Sequence, residues 1–508
     1  MVGPLVREVR IQRTTNLEAF RTLDRLDVHV EEVERLGRLV RRALSPNRIW
    51  MLNSTETGGG VAEMMPRLCS LLNDLGVDTR WLVLHPDHPE FFPVTKGLHH
   101  LLHGMDGLPD VGRARSIYDD VSRGAANDLR EVINRGDIVV VHDPQPVGAA
   151  AFFAQEFCCP PMLWRCHIGT AHRNSNTEKG WQFLSEYLQP FSRLLFSAEP
   201  YIPAELYERS TVLYPGIDPL SHKNRELPLY KLLGILRSAG LVDGPPAPAW
   251  TRFDAQVQRF VDGQWVASPL ENLLFRPIVL QLSRFDSLKG YQHLMPAFAD
   301  LLEHGPERIR QMKVATDRAL SELSLVELVL AGPDPAGVAD DPEAGAYLDE
   351  LCRQQLALPE EIRRRVHLLR LPMVNTKQNA LIVNALQRLA TVVVQASVRE
   401  GFGLTVAEAL WKNTPVVATN VGGLGIQIRH GTDGVLVDDP SDAAMLSEAI
   451  LHMLAYPKEA ELMARSGRRR VLRHFLMLSQ LQSWLEEFAR ILKVGAESHP
   501  PAGLGMTQ

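Results

Sequence analysis

Short apolar runs recur along the chain, each closed by polar or glycine-rich residues and followed by a stretch of helical period. In the first half they are N-R-I-W-M-L-N-S-T (47–55), D-T-R-W-L-V-L (78–84), D-I-V-V-V-H-D-P (137–144), P-M-L-W-R-C-H-I (161–168) and S-R-L-L-F-S-A (192–198). A second series begins at P-I-V-L-Q-L-S-R-F-D (277–286) and continues through 326–334, 366–372, 391–398, 415–423 and 434–439. Runs this short, rich in Val, Ile and Leu and alternating with helical segments, predict parallel strands covered by helices on both faces. The fold class is therefore α/β, with two doubly wound domains in one chain. Ligands of such sheets bind outside the carboxyl ends of the strands, and a cleft between the two domains is the expected site.

The pattern divides the chain further. Residues 1–45 read as a charged helical extension without a strand, and 46–239 as the first domain. Within it, Pro66 falls about two turns into the helix after the first strand and is expected to kink it. The stretch G-P-P-A-P-A-W-T-R opens a proline-rich interval, 240–276, with no obvious element, read as a surface insertion and hinge. Residues 277–470 form the second domain. The tail, 471–508, is a helix expected to return to the first domain, followed by a weakly ordered end.

Composition narrows the class. A net charge of −6 over 508 residues gives no basic surface for nucleic acid. The apolar run V-G-A-A-A-F-F-A (147–154) is too short to span a membrane, and the N-terminus carries charge where a signal peptide needs an apolar core. A cytoplasmic location is the expectation. The five cysteines are few and odd in number, which fits a reducing compartment. Cys158, Cys159 and Cys166 lack a second ligand pair at finger-like spacing, so they read as buried thiols beside a strand, not as metal ligands.

Five strand ends carry candidate chemistry. In R-E-G-F-G-L-T-V-A-E-A-L (399–410), Gly401 and Gly403 allow close backbone approach where Phe402 and Leu404 lead into a helix. Glu400 and Glu408 could accept hydrogen bonds from sugar hydroxyls or a ribose diol; the ordinary alternative is a helix-end charge plus a solvated glutamate. In S-R-F-D-S-L-K-G (283–290), Arg284 and Lys289 could clamp a diphosphate, or simply be solvated on a loop. In N-S-T-E-T-G-G-G-V-A-E (53–63), Gly58, Gly59 and Gly60 turn into a helix start, a site for anions or hydroxyls or a plain tight turn. V-H-D-P-Q-P places His142, Asp143 and Gln145 at one strand end, and W-R-C-H-I places Arg165 and His167 at another. Together these supply carboxylates for diols, cations for a diphosphate and polar strand ends opposite: a nucleotide-sugar site. No Asp-x-Asp occurs, so the basic pair would neutralise the leaving group. Neither domain shows G-x-G-x-x-G after its first strand, which argues against a nicotinamide-dependent oxidoreductase.

Glu400 and Glu408 at this spacing, with Arg284 and Lys289, resemble the retaining glycosyltransferases of the GT-B fold, family 4. Joined to N-S-T-E-T-G-G-G-V-A-E, V-H-D-P-Q-P, W-R-C-H-I and Y-P-G-I-D-P-L-S-H-K-N (214–224), the set resembles the trehalose glycosyltransferring synthases over about 47–240 and 277–490. The resemblance implies two Rossmann-like domains, an NDP-glucose donor, glucose as acceptor, and reversible formation of α,α-trehalose. By it, Arg284 and Lys289 bind the diphosphate. Glu400, with Gly401, Phe402, Gly403 and Leu404, holds the donor sugar, and Glu408 holds the ribose. His167 sits beside the anomeric carbon; Gly59, Gly60, His142, Asp143, Gln145 and Arg165 line the acceptor side. No cofactor is implied: diphosphate binding is expected to be metal-independent, with magnesium at most stimulating. Partners would be small sugars and nucleotides, with a homodimer allowed for and no nucleic acid or membrane. Gly169 stands where the family usually carries an acidic residue, which bears on the acceptor. Three alternatives stand beside this reading: a retaining trehalose phosphorylase, which would have no ribose for Glu408 to hold, a family 4 enzyme with another small acceptor, and a non-catalytic nucleotide-sugar-binding protein.

Overall fold

The structure is a computed structural model that describes residues 3–11, 15–23, 26–56, 59–156, 159–244, 252–270, 273–337 and 343–494. It divides into two compact units, with breaks after Tyr214 and after Leu476, so that the last helix belongs with the first unit.

The first unit holds a seven-stranded sheet: β1 (Val6–Val9), β2 (Ile49–Asn53), β3 (Thr79–Leu84), β4 (Ile138–His142), β5 (Met162–Cys166), β6 (Arg193–Phe196) and β7 (Ser210–Val212). The spatial order is β1-β3-β2-β4-β5-β6-β7, parallel except for β1. Every residue of β2, β4 and β5 is buried, as a sheet covered on both faces requires. The chain winds outward in both directions from β2, so the strand order reverses between β2 and β4. The helix Met477–Ile491 packs on this unit, its Glu487 accepting from Arg193 Nε at 3.3 Å.

The second unit holds eight strands: β8 (Gln258–Val261), β9 (Gln264–Val266), β10 (Ile278–Leu282), β11 (Glu327–Pro333), β12 (Val366–Leu371), β13 (Val392–Gln395), β14 (Val416–Thr419) and β15 (Val435–Val437). Their order is β15-β14-β13-β10-β11-β12-β8-β9. Among the six parallel strands β10 lies centrally, and the order reverses between β10 and β13. Such a reversal opens a crevice at the carboxyl ends of the strands beside it.

Two elements depart from the sequence reading. The stretch read as purely helical, 1–45, begins with β1, an edge strand. Its V-R-E-V pattern buries Val6 and exposes Arg7 and Glu8, and charges of this kind blunt a sheet edge. Four residues are too few for a period to register. The interval 240–276, read as featureless, contains the β8–β9 hairpin, which extends the second sheet antiparallel to β12. Its turn is Asp262–Gly263, with φ of 46° and 85°, the Asp-Gly turn that matches hairpin twist. The proline-rich flank masked that local signal. Residues 245–251 and 271–272 of that interval, and the end from 495, lie outside the described residues. The thiols also differ: Cys166 is buried, but Cys159 is exposed, and Cys158 is outside the described residues.

Gly290 shows how tightly the second crevice is drawn. It adopts φ 72°, ends the turn Ser287–Lys289 and begins the helix Tyr291–Gln311. A Cβ there would lie 1.8 Å from the carbonyl oxygen of Ala396, at the end of β13. Gly290→Ala is expected to cost more than the roughly 1–2 kcal/mol of a left-handed residue alone, read as a lower denaturant midpoint. An unchanged midpoint would show that the two loops can separate freely.

Candidate active site

The second unit gathers its polar residues where β10 and β13 end side by side. Lys289 follows β10 and Glu400 follows β13, 111 residues apart in sequence. Lys289 Nζ donates to both carboxylate oxygens of Glu400, at 2.9 and 2.8 Å. The side chains are 18% and 10% exposed, so the charges meet with little water between them. Ser397 Oγ donates to Glu400 Oε2 at 3.1 Å, and Gln395 donates to Ser397. The two loops are laced by main chain: Val398 N donates to Leu288 O, Gln281 Nε2 to Lys289 O, and Ala396 N to Gln281 Oε1. Asp286 caps the turn that carries Lys289 by accepting from Leu288 N. Arg284 stands exposed just after β10.

The glycines of this loop do separate things. Gly403 has φ 76° at the start of the helix Leu404–Trp411, and a Cβ would meet Leu424 and Glu400. Gly401 faces open space, and its carbonyl accepts from Gly423 N. Phe402 is buried, its carbonyl held by Gln427 Nε2.

Glu408 is buried on the inner face of the helix Leu404–Trp411. Its carboxylate lies 3.6 Å from Lys223 Nζ. The segment carrying Lys223 is fixed by a neighbouring buried lysine: Lys412 Nζ donates to Asn224 Oδ1 (3.0 Å), Gln387 Oε1 (2.8 Å) and Glu408 O (3.0 Å). Burial drives the Lys412 ammonium down to about 7.

In the first unit the polar residues meet where β4 and β5 end. His142 Nδ1 lies 3.0 Å from His167 Nε2. Asp143 follows at φ 62°, a left-handed conformation that asparagine and aspartate tolerate and that marks strain at a site. Its Oδ1 accepts from His167 N at 2.8 Å, and its carbonyl accepts from Trp164 Nε1 at 2.9 Å. Arg165 is fully buried; Nη2 donates to Ser197 Oγ at 3.1 Å, while Nε and Nη1 have no partner among the described residues. Desolvation sets the electrostatics: it pulls Arg165 down to about 10, lowers His142 to about 3 and His167 well below its usual value, and raises Asp143 to about 6.

The structure thus unites Lys289 with Glu400, and His142, Asp143 and His167 with one another. Arg165 is the register partner of His142 on the next strand. Gln145 Oε1 is buried without a partner among the described residues. Gly59 and Gly60 open the helix Gly59–Asp74, which contains Pro66; Gly58 lies outside the described residues. Gly169 has φ 157° and packs on Tyr201, whose ring a Cβ would meet at 2.7 Å, so this backbone leaves no room there for an acidic side chain. Lys223 and Lys412 were missed by sequence reasoning. The segment 214–224 signalled a family motif, but nothing in it tells that Lys223 meets a glutamate far along the chain.

Two doubly wound units of this kind define the class: a two-domain α/β protein of GT-B fold. Residues 51–203 match the family model described as trehalose synthase, N-terminal domain, and 272–470 match glycosyl transferases group 1. The chain is 32% identical over 436 residues to a trehalose synthase of Thermococcus litoralis, covering 86% of this chain and 88% of that protein. It is 32% identical over 479 residues to one of Rubrobacter xylanophilus, covering 94% and 97%. A trehalose phosphorylase of Grifola frondosa is 25% identical over 475 residues, covering 89% of this chain and 58% of that one. The solved α,α-trehalose-phosphate synthase (UDP-forming) of Burkholderia xenovorans, in complex with glucose-6-phosphate, has the same fold, with a TM-score of 0.59 at 14% identity over 88% and 100% of the two chains. The chain belongs to the trehalose synthase family of glycosyltransferases.

The raised Asp143 carboxyl has a signed consequence. Its folded value, about 6, exceeds its ordinary 3.8, so the folded state holds its proton more tightly than the unfolded state. Stability from this group is complete below about pH 3.8 and declines as pH rises to about 6. Asp143→Asn, which keeps an acceptor for His167 N, is expected to raise the melting temperature at pH 7–8. The gain should vanish as the pH falls to about 3.8; a pH-independent difference would contradict the assignment.

Proposed function

We propose that the protein transfers glucose from an NDP-glucose donor to glucose, with retention, forming α,α-trehalose reversibly. The observation that carries this reading is the Lys289–Glu400 pair at the β10–β13 crevice, a fixed cation and carboxylate where a doubly wound sheet binds nucleotides. In this reading Arg284 and Lys289 bind the diphosphate, and Glu400 receives the donor sugar hydroxyls. Gly401, Phe402, Gly403 and Leu404 present main chain to the donor, and Glu408, beside Lys223, receives the ribose diol. On the N-terminal side His167 stands beside the anomeric carbon, with His142, Asp143, Gln145, Arg165, Gly59 and Gly60 on the acceptor side.

No protein nucleophile is invoked. As the bond from C1 to the diphosphate oxygen breaks, the acceptor oxygen bonds to C1 from the same face. The departing oxygen takes the acceptor's proton. Catalysis is then positioning and stabilisation of the leaving charge by Arg284 and Lys289, without a metal ion.

Three outcomes test this. Arg284→Ala is expected to raise the barrier by about 2.7–4 kcal/mol, as loss of one preorganised donor does elsewhere, seen as a fall in kcat; near-normal turnover would remove Arg284 from the reaction. Lys289→Met leaves the buried Glu400 charge without its cation, which costs about 3–5 kcal/mol when such pairs are broken; calorimetry should show weaker NDP binding, and unaltered binding would contradict the role. Trehalose incubated with each NDP should yield glucose and NDP-glucose, in chelator as in magnesium. Cleavage with inorganic phosphate alone would instead identify a phosphorylase, the activity named for the Grifola frondosa relative.

A further inference from the structure

The His142–His167 contact fixes more than a position. The rings stack at 16° with centroids 5.3 Å apart, and their facing nitrogens are 3.0 Å apart. Burial and the Arg165 charge keep both rings neutral. Between two neutral imidazoles one nitrogen donates and the other accepts, so the direction of this bond sets both tautomers.

The surroundings of the far nitrogen of His142 choose the direction. His142 Nε2 is buried and has no partner among the described residues. Trp484 Nε1, whose ring is centred 6.0 Å from that of His142, is equally without one, as are Nε and Nη1 of Arg165. These three groups can only donate. Among the described residues the unpartnered groups of the unit that can accept are Gln145 Oε1, Gln480 Oε1 and the Ser122 hydroxyl, and the Gln480 amide is drawn towards Met64 Sδ, 3.1 Å away. The Arg165 cation, on the register partner of His142, and the neighbouring Trp484 indole favour a lone pair on His142 Nε2 over one more N–H. The remaining ring nitrogen, Nδ1, then carries the proton.

We infer that His142 is a positioning residue: its Nδ1–H donates to His167 Nε2, and His167 is thereby held with its own proton on Nδ1, as a fixed hydrogen-bond donor. The rest of His167 is pinned already, its N–H on Asp143 and its carbonyl on Ser197 Oγ. A ring held this way offers N–H to a sugar oxygen and has no free lone pair with which to take a proton. The acceptor's proton therefore goes to the departing phosphate oxygen and not to His167. This inference rests, for its consequence in catalysis, on the reading that His167 stands beside the reacting carbon; the proton arrangement itself does not.

The test labels the full chain with ¹⁵N-histidine and reads ring nitrogen shifts by two-bond ¹H–¹⁵N correlation, with assignment by loss of peaks in His142→Asn and His167→Asn. His167 is expected to show a protonated Nδ1 and a bare Nε2, and His142 the same. A protonated Nε2 on His167 overturns the inference. Kinetics supplies the second arm. His142→Gln puts its amide near the Nε2 position and should lower kcat at least about tenfold, the lower edge for lost outer-shell partners, with the donor KM little changed. His142→Asn puts its amide nitrogen near the Nδ1 position and should recover most of that loss. Equal impairment of the two variants overturns the positioning role. Full activity of His167→Asn, alongside the inferred tautomers, leaves the proton arrangement standing and removes only the placement of His167 at the reacting carbon.

Discussion

A lysine and a glutamate, drawn together by adjoining strand ends, form a fixed charge pair at the crevice of the second unit. Lys289 and Glu400 meet because β10 and β13 are neighbours in space, although the chain between them builds two further strands. Largely removed from water, neither charge could stand alone without a cost of several kcal/mol. Gly290 lets the β10 loop approach β13, Gln281 laces the loops, and Ser397 fills a remaining lone pair of the carboxylate. In the proposed reading, a donor that enters this crevice meets charges already oriented, so little reorganisation falls to the reaction itself.

The first unit solves a different problem with the same architecture. Its strand ends carry Arg165, His142, Asp143 and His167, buried in a way that penalises every charge among them. The result is a pair of neutral imidazoles, a strained aspartate and a guanidinium with unspent donors. In the proposed reading, such a set would bind polar groups by direction more than by net charge, which suits hydroxyl-rich sugars.

Much of this was legible in the sequence. The two series of apolar runs announced eleven of the parallel strands, because strands covered on both faces need unbroken Val, Ile and Leu. The strand-end residues were legible too, since polar groups closing an apolar run stand out. What escaped were features without a period or a local partner. β1 is four residues long, and the β8–β9 hairpin sits beside a proline-rich flank that drew the eye from Asp262–Gly263. The Lys289–Glu400 and Lys223–Glu408 contacts join distant segments, and no spacing rule reaches across a whole sheet. His142 was read as lining the acceptor side; its bond to His167 emerged only from the pairing of β4 with β5.

The central claim is that basic side chains, with no chelated cation, absorb the charge released when glucose leaves its nucleotide. A crystal structure with a slow NDP-glucose analogue and magnesium in the solution tests it most directly. The account predicts diphosphate oxygens within hydrogen-bonding distance of Arg284 and Lys289 and no ion between them. A diphosphate seated on magnesium, or remote from both side chains, would contradict it.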